Sequence, residues 1–213
     1  WTVTLEGTDF ASDAEGLAAF DWDIGDTRNE TFENGTMAHW RPLNGNWGVT
    51  TNLPITGAYS LRQSDTGPER ARILHDFAVS GDFEYEADFQ WRSGTGMECI
   101  FVLAATGYSD GYEVLLRGRD LNDIRLDRAG TILSNSPLGF TPEYFRNYHF
   151  KAVRRGGWLH IAIDGRLLLS FHDAGVLSGY CGLSNYRCEV VFDNVKVRNM
   201  RGANRFSFAP WTD

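Results

Sequence analysis

A shortage of cysteine, of positive charge and of long apolar runs excludes several classes of protein for this sequence. The 213 residues include 3 cysteines, and no cluster of Cys and His stands at the spacing of zinc ligands, so a zinc site has no support. Lys and Arg number 20 against 28 Asp and Glu, which gives a formal net charge of -8. A chain without a basic excess favours neither nucleic acid nor an anionic membrane as its partner. A neutral ligand, or one held through calcium, fits this charge better.

No apolar run approaches the roughly 20 residues that cross a bilayer. The first residues, WTVTLEG, also lack the basic region and apolar core of a signal peptide. We therefore expect a soluble chain without a membrane partner, already processed or cut from a larger protein.

The three cysteines leave one question open. Cys181 and Cys188 flank the short segment GLSNYR, and such a loop between antiparallel neighbours carries a disulfide if the compartment is oxidising. Cys99 lies inside a strand-like run and is expected to be a buried free thiol. The sequence does not decide whether the bridge forms.

Helical periodicity over three turns is also missing, whereas short strand-like runs separated by Gly, Asp, Asn and Ser recur every dozen or so residues. The segment DFEYEADFQW (82–91) alternates most regularly and predicts one core face and one solvated face. The spacing predicts roughly a dozen strands in an all-β sandwich of two antiparallel sheets. We expect a single domain over residues 1–213, with an irregular N-terminal segment, residues 1–30, packed on it.

The last quarter of the chain carries the most specific pattern. Residues 158–173 form two apolar runs around Asp164-Gly165, followed by GYCGLSNY (179–186) and CEVVFDNVKV (188–197). Alternation on both sides of an Asp-Gly pair is typical of a β-hairpin with one buried face. The order of these segments resembles the end of concanavalin A-like jelly-roll domains. The resemblance implies a jelly roll of two packed antiparallel sheets.

The concanavalin A-like superfamily is centred on carbohydrates, but it mixes laminin-G-like and other sugar-binding modules with glycoside hydrolases and lyases. The resemblance therefore implies an oligo- or polysaccharide partner. We expect a secreted, periplasmic or cell-surface module attached to a larger polysaccharide-degrading protein. A protein-interaction domain of the laminin-G kind is a further possibility that the sequence leaves open. A weaker similarity, in the GYEV strand and the closing Asn-Val strand, is to bacterial proteins that hydrolyse 3-keto-glycosides, and it keeps an enzyme as the alternative.

The resemblance also implies a structural calcium ion. Many relatives hold one between an acidic residue early in the chain and an Asp before the final strand, and Glu33 and Asp193 match these positions loosely. Carboxylate and carbonyl oxygens suit the irregular coordination of calcium. The alternative is that Glu33 caps a turn and Asp193 satisfies the backbone at a strand end.

Polar residues on two adjacent strands form the candidate sugar site. Pairing 97–106 with 111–118 places Glu98, Glu113 and Arg117 on one side of the sheet. Glu113 stands in an apolar strand, where a carboxylate is costly unless it is paired or faces a cleft. We interpret Glu113 as an acceptor of sugar hydroxyls tuned by Arg117, so that Glu113→Ala weakens glycan binding with little change in melting temperature. The alternative is a surface ion pair of Glu113 with Arg117.

Stacking on aromatic rings and catalysis are predicted around the same surface. Trp91, Trp47 and Tyr108 are the candidates for stacking on a sugar ring. If the chain is an enzyme, Glu113 or Glu98 is the acid/base, with His160 beside it, but a lone histidine of this kind favours the alternative of an ordinary surface or hydrogen-bonded strand histidine. The E-x-D-x-x-E motif of laminarinase-like hydrolases has no match here, which lowers the case for that type of enzyme.

Overall fold

A computed structural model describes residues 26–67, 69–175 and 177–200, and within them the chain is built from strands and turns. The strands are β1 (Thr27–Glu30), β2 (Trp40–Asn44), β3 (Trp47–Thr50), β4 (Ser60–Gln63), β5 (Arg70–Ser80), β6 (Asp82–Ala105), β7 (Tyr112–Arg117), β8 (Asp123–Arg128), β9 (Thr131–Pro137), β10 (Tyr148–Arg155), β11 (Trp158–Ile163), β12 (Arg166–His172) and β13 (Ser178–Met200). The predicted all-β class is confirmed. No helix that is able to span a membrane occurs among these residues.

Two long strands, β6 and β13, pair with each other over almost their whole length and run through both layers of the sandwich. Layer one has the strand order β12-β11-β10-β6-β13-β4-β3, with β1 also on β13. Layer two contains β9, β8, β7, the second half of β6, the first half of β13, β5 and β2. All pairings are antiparallel, as the sequence predicts.

Where β6 passes from one layer to the other, its register against β13 shifts between the pairs Glu98–Tyr186 and Gly94–Cys188. The sequence predicts two separate strands here, 82–91 and 97–106, but the structure has one strand of 24 residues. Gly94 lies at this shift with a φ of +131°, and an added Cβ there would approach the carbonyl oxygen of Arg187 to 2.3 Å. Only glycine fits so close to the neighbouring strand.

The core lies between the two layers and follows the predicted alternation. Phe83, Tyr85, Ala87, Phe89 and Trp91 of β6 are all 0% exposed. Phe101, in the second half of β6, stacks on Phe150 of β10 with 3.7 Å between ring centroids, so rings from the two layers meet directly. The sandwich is therefore held by apolar burial between its faces.

The hairpin at the end of the chain forms as the sequence predicts. Asp164 and Gly165 connect β11 and β12 with φ values of +50° and +75°. Positive φ at both central residues is the turn that matches the twist of two antiparallel strands, and Asp-Gly is suited to it.

The disulfide that the sequence left open does not form. All three cysteines are buried free thiols. Cys181 and Cys188 lie along the same strand, β13, and not on antiparallel neighbours. Seven residues of extended chain span roughly 20 Å, far beyond the Cα separation of a disulfide.

The domain prediction is only partly covered by the described residues. Residues 26–200 form one unit. Thr27–Glu30, inside the segment predicted to be irregular, is a strand paired with β13. Residues 1–25 lie outside the described part, so a single domain over the whole chain stays a prediction.

Candidate functional site

The outer face of layer two, which points away from the core, carries the polar residues of the candidate site. Glu98 of β6 pairs with Arg117 of β7, and Val102 of β6 pairs with Glu113 of β7. These residues alternate with the core residues of the same strands, so Glu98, Glu113 and Arg117 share the outer face.

Two arginines of β5 hold Glu113 from across the sheet. Arg70 donates from Nη1 to Glu113 Oε2 at 2.8 Å, and Arg72 Nη2 contacts Oε1 of the same carboxylate. Arg72 is 2% exposed and Glu113 is 9% exposed, so this ion pair is buried. Burial lowers the pKa of the Arg72 guanidinium. The carboxylate is thereby fixed in position with both oxygens engaged.

Sequence reasoning missed Arg70 and Arg72 as partners of Glu113. The segment RARILHDF alternates them with the core residues Ala71 and Ile73, and this pattern places both arginines on the outer face. That signal was present, but the sequence does not show that the two side chains reach across β13 and β6 to β7.

A pocket of about 270 Å³ lies over this ion pair. Tyr108, which is 43% exposed, forms one wall, and its hydroxyl donates to the backbone oxygen of Arg70 at 3.0 Å. The Arg72 guanidinium lies over the Tyr108 ring, 5.3 Å from its centroid. The other lining residues are Ser109, Asp110, Ala129 and Gly130.

Asp110 fixes the loop that carries Tyr108. Its carboxylate accepts hydrogen bonds from the backbone N–H of Thr106, at 3.0 Å, and of Gly107, at 2.7 Å. Burial opposes ionisation of Asp110, but the hydrogen bonds from Thr106 and Gly107 outweigh it and lower the pKa. The wall of the pocket is therefore formed before any ligand arrives.

Glu98 and Arg117 have other surroundings. Arg117 donates from Nε and Nη2 to the two oxygens of Asp123, at 2.7 and 2.5 Å, so the predicted tuning of Glu113 by Arg117 is wrong. Glu98 lines a separate pocket of about 180 Å³ with Arg117 and Tyr186. Burial raises the pKa of Glu98, and the charges of Arg70, Arg117 and Arg125 oppose that rise.

The structure overturns two of the predicted stacking residues and separates His160 from the site. Trp91 is 0% exposed, and Trp47 is 8% exposed and stacked on Phe192, so neither ring is open to a sugar. Both belong to the inward set of alternating positions, which sequence alternation itself indicates for Trp91. His160 lies on β11 in layer one, where it hydrogen-bonds Ser170, and not beside Glu113.

The predicted calcium ligands are occupied by donors from one loop. Glu33 accepts hydrogen bonds from the backbone N–H of Ala58, at 3.1 and 3.0 Å, and of Tyr59, at 3.3 Å. Asp193 Oδ2 accepts hydrogen bonds from the backbone N–H and hydroxyl of Thr56 and the hydroxyl of Ser60, at 3.1, 3.0 and 2.8 Å.

This hydrogen bonding does not fit a cation at Glu33 and Asp193. Within residues 26–200, no group of three or more His, Cys, Asp or Glu side chains is arranged to hold a metal ion. The two carboxylates instead tie the segment 56–60 to the sandwich from both sides, which corresponds to the alternative of a turn cap and a strand end.

We expect the melting temperature of the protein to be the same in excess EDTA and in millimolar calcium chloride. A cation that binds only the folded state raises stability with its concentration, and hydrogen bonds within the chain need no cation. Thermal unfolding followed by circular dichroism measures this. A rise in melting temperature with calcium, reversed by EDTA, would contradict the assignment of Glu33 and Asp193 to hydrogen bonding alone.

Comparison with known proteins gives one curated relative and several solved structures. No family model matches the chain. Levanase of Bacillus subtilis (strain 168) is 24% identical over 162 residues, which cover 75% of this chain and 22% of the levanase. The chain thus spans about a fifth of the length of that relative.

Two solved structures illustrate the structural likeness. The carbohydrate-binding module CBM66 from Bacillus subtilis has a TM-score of 0.61 at 24% identity, covering 76% of this chain and 96% of the module. The exoplasmic/lumenal domain of VIP36, in a form bound to Ca²⁺ and Man3GlcNAc, has a TM-score of 0.59 at 12% identity, covering 86% of this chain and 90% of that domain. The sheet order and these neighbours together identify the fold of this chain as a jelly roll of the concanavalin A-like, lectin-like type.

Proposed function

We propose that the chain binds a carbohydrate in the pocket above Glu113. The observation that carries the proposal is the ion pair of Glu113 with Arg70 and Arg72 beneath the half-exposed ring of Tyr108. Fixed guanidinium and carboxylate groups donate to and accept from neighbouring sugar hydroxyls, and an aromatic wall covers the apolar face of a sugar ring.

The size and shape of the pocket support a short ligand segment. A volume of about 270 Å³ is near the lower end of small-molecule sites, which begin at about 300 Å³. We infer that one sugar unit enters the pocket while the rest of a polysaccharide stays outside. Affinity for a single unit is then modest, because few groups contribute.

Levan is the polysaccharide to test first. The curated relative is named for its action on levan, and a structural neighbour is a carbohydrate-binding module. We infer that this chain is an extracellular module accessory to a larger polysaccharide-degrading protein. Calcium has no part in this proposal, because the ion pair of Glu113 requires none.

Binding is favoured over catalysis by the separation of the candidate catalytic groups. Glu98 and Glu113 line separate pockets, and their backbone positions are about 13 Å apart along the strands, because Val102, the partner of Glu113, is four residues from Glu98 on β6. The paired carboxyls of glycosidases stand about 5 to 9.5 Å apart. His160 belongs to layer one. We therefore expect no release of reducing ends when the protein is incubated with a polysaccharide that it binds.

Arg70→Gln is expected to weaken levan binding by about 10- to 100-fold. A hydrogen bond to a charged group contributes about 1.5 to 3 kcal/mol, and tenfold corresponds to about 1.4 kcal/mol. The side chain of Arg70 is 34% exposed and Arg72 still holds Glu113, so the fold is retained. Isothermal titration calorimetry against levan, with a melting curve of each variant, measures both quantities.

Arg166→Gln is the matched control, because Arg166 is exposed on β12 in layer one.

Tyr108→Ala removes the pocket wall and is expected to weaken binding by about tenfold, since an aromatic contact contributes about 0.5 to 1.5 kcal/mol beyond burial. Unchanged affinity in both Arg70→Gln and Tyr108→Ala would place the sugar elsewhere.

A further inference from the structure

A second pocket lies on the outer face of layer one, apart from the Glu113 pocket. It has a volume of about 330 Å³ and is lined by Leu53, Pro54, Gln90, Arg92, Phe145 and Asn147. Gln90 and Arg92 alternate with the core residues Phe89 and Trp91 of β6, and they therefore point outward into this pocket.

The floor of the pocket contains polar atoms that have no hydrogen-bond partner in the described part of the chain. Gln90 and Arg92 are 7% and 8% exposed. Gln90 Nε2 donates to the backbone oxygen of Phe145 and to Asn147 Oδ1, which fixes the orientation of the amide and leaves Gln90 Oε1 buried without a hydrogen bond. Arg92 Nε is likewise buried without a partner. Buried polar atoms are normally hydrogen-bonded, so Gln90 Oε1 and Arg92 Nε each have room for a partner from water or from a ligand.

Arg92 is also a buried cation that no carboxylate of the described residues contacts, and its guanidinium lies 5.5 Å from the centroid of the Phe145 ring. Its Nη2 donates to the backbone oxygen of Leu53. The carboxylate that acts on it electrostatically, Glu189, is already hydrogen-bonded to Arg62 and Ser93, at 2.8 and 3.2 Å. Among the described residues that line the pocket, none is acidic. A negatively charged group entering the pocket would therefore meet the Arg92 guanidinium and no acidic side chain among the described lining residues.

Two large apolar side chains stand at the mouth of the pocket in an unusual backbone conformation. Leu53 and Phe145 are each 60% exposed, with φ values of +53° and +63°. Bulky residues rarely adopt positive φ, and here hydrogen bonds hold them there. Phe145 N–H donates to the oxygen of Trp91 at 2.8 Å, and its own oxygen accepts from Gln90 at 2.9 Å. Gln90, on the floor of the pocket, and the backbone of Trp91 therefore hold the exposed Phe145 ring at the mouth of the pocket.

We propose that this pocket binds an acidic sugar unit, a hexuronate, whose carboxylate pairs with Arg92. A ring hydroxyl donates to Gln90 Oε1, and the apolar face of the sugar lies on Phe145. Asn147 Nδ2, which makes no hydrogen bond within the described residues, adds a donor at the rim. The site does not depend on the Glu113 pocket, because the two lie on different layers.

The test is a titration of the ¹⁵N-labelled protein with glucuronate and, separately, with glucose, followed by NMR. We expect saturable shifts of the side-chain amide signals of Gln90 and Asn147 with glucuronate, and at least tenfold weaker binding of glucose. Equal binding of the two sugars, or no saturable shift of these signals, would overturn the proposal. Levan binding by the Arg70→Gln variant is scored separately, so failure of one site does not imply failure of the other.

Asn147→Asp sharpens the test with a small change. The new carboxylate keeps the oxygen that accepts from Gln90 Nε2 and places a negative charge at the rim. We expect at least fivefold weaker glucuronate binding, whereas the matched control Asn135→Asp, at an exposed position of β9, has no effect. Glucuronate affinity that is the same in both variants would contradict a pairing of the sugar carboxylate with Arg92.

Discussion

Glu113→Ala is expected to lower the free energy of unfolding by about 3 to 5 kcal/mol, the usual cost of removing one partner of a buried ion pair. Arg72 is 2% exposed and loses the carboxylate that it contacts, so its buried charge is left with the weaker contacts of the Gly107 backbone oxygen and the Tyr108 ring. The sequence alone led us to expect little change in melting temperature, because it treated Glu113 as a cleft residue. Its burial and its two arginine partners overturn that expectation. Urea unfolding monitored by tryptophan fluorescence measures the change.

Two further variants separate the charge effect from a general loss of packing. Glu69→Ala, at an exposed position just before β5, is the control and is expected to change the unfolding free energy by less than about 0.5 kcal/mol. The double variant Arg72→Met with Glu113→Leu replaces the ion pair by apolar side chains and is expected to recover most of the stability lost in Glu113→Ala. If the double variant is as unstable as the single one, an uncompensated Arg72 charge is not the cause.

The burial of Glu113 limits its use in testing the sugar site. A variant of Glu113 loses stability as well as a hydrogen-bonding group, so a loss of binding by it does not locate the ligand. The side chains of Arg70 and Tyr108 are more exposed than that of Glu113 and are expected to contribute less to the free energy of unfolding. They are therefore the positions at which a change in affinity reports on the pocket itself.

The fold was predictable because alternation is a local property of the sequence. The position of each residue in DFEYEADFQW predicts which face of the sheet it occupies, and the Asp164-Gly165 pair by itself predicts a turn. The continuity of β6 and β13 was not predictable in the same way. It depends on close contact between Gly94 and the neighbouring strand, which involves residues far apart in the chain.

The candidate site was predictable only in part for the same reason. Register within one hairpin placed Glu98, Glu113 and Arg117 on a common face. The partners of Glu113 come from β5, which is separated from β7 by two strands, β13 and β6, and no local pattern gives that order. The prediction of an exposed ring was wrong for Trp91, because Trp91 stands in the inward set of the alternating positions of β6.

The second large effect is expected from Phe101→Ala, at about 3 to 5 kcal/mol of unfolding free energy. Phe101 belongs to layer two and its ring stacks on Phe150 of layer one, at 3.7 Å between centroids and 2° between planes. Phe101 also contacts Tyr85, Phe89 and Phe192 edge to face. Truncation therefore opens a cavity between the layers that its neighbours cannot fill without moving the strands that carry them.

Phe145→Ala is the matched control, because that ring is 60% exposed and its loss is expected to cost little stability. A double-mutant cycle of Phe101→Ala with Phe150→Ala measures the coupling of the two rings, expected at about 0.5 to 1.5 kcal/mol. A cost below about 1 kcal/mol for Phe101→Ala, or no coupling to Phe150, would contradict direct contact between the two layers. Phe101 pairs with Val114 of β7, and both side chains point into the core. Because side chains alternate along a strand, Glu113, next to Val114, points outward as a result of the same packing.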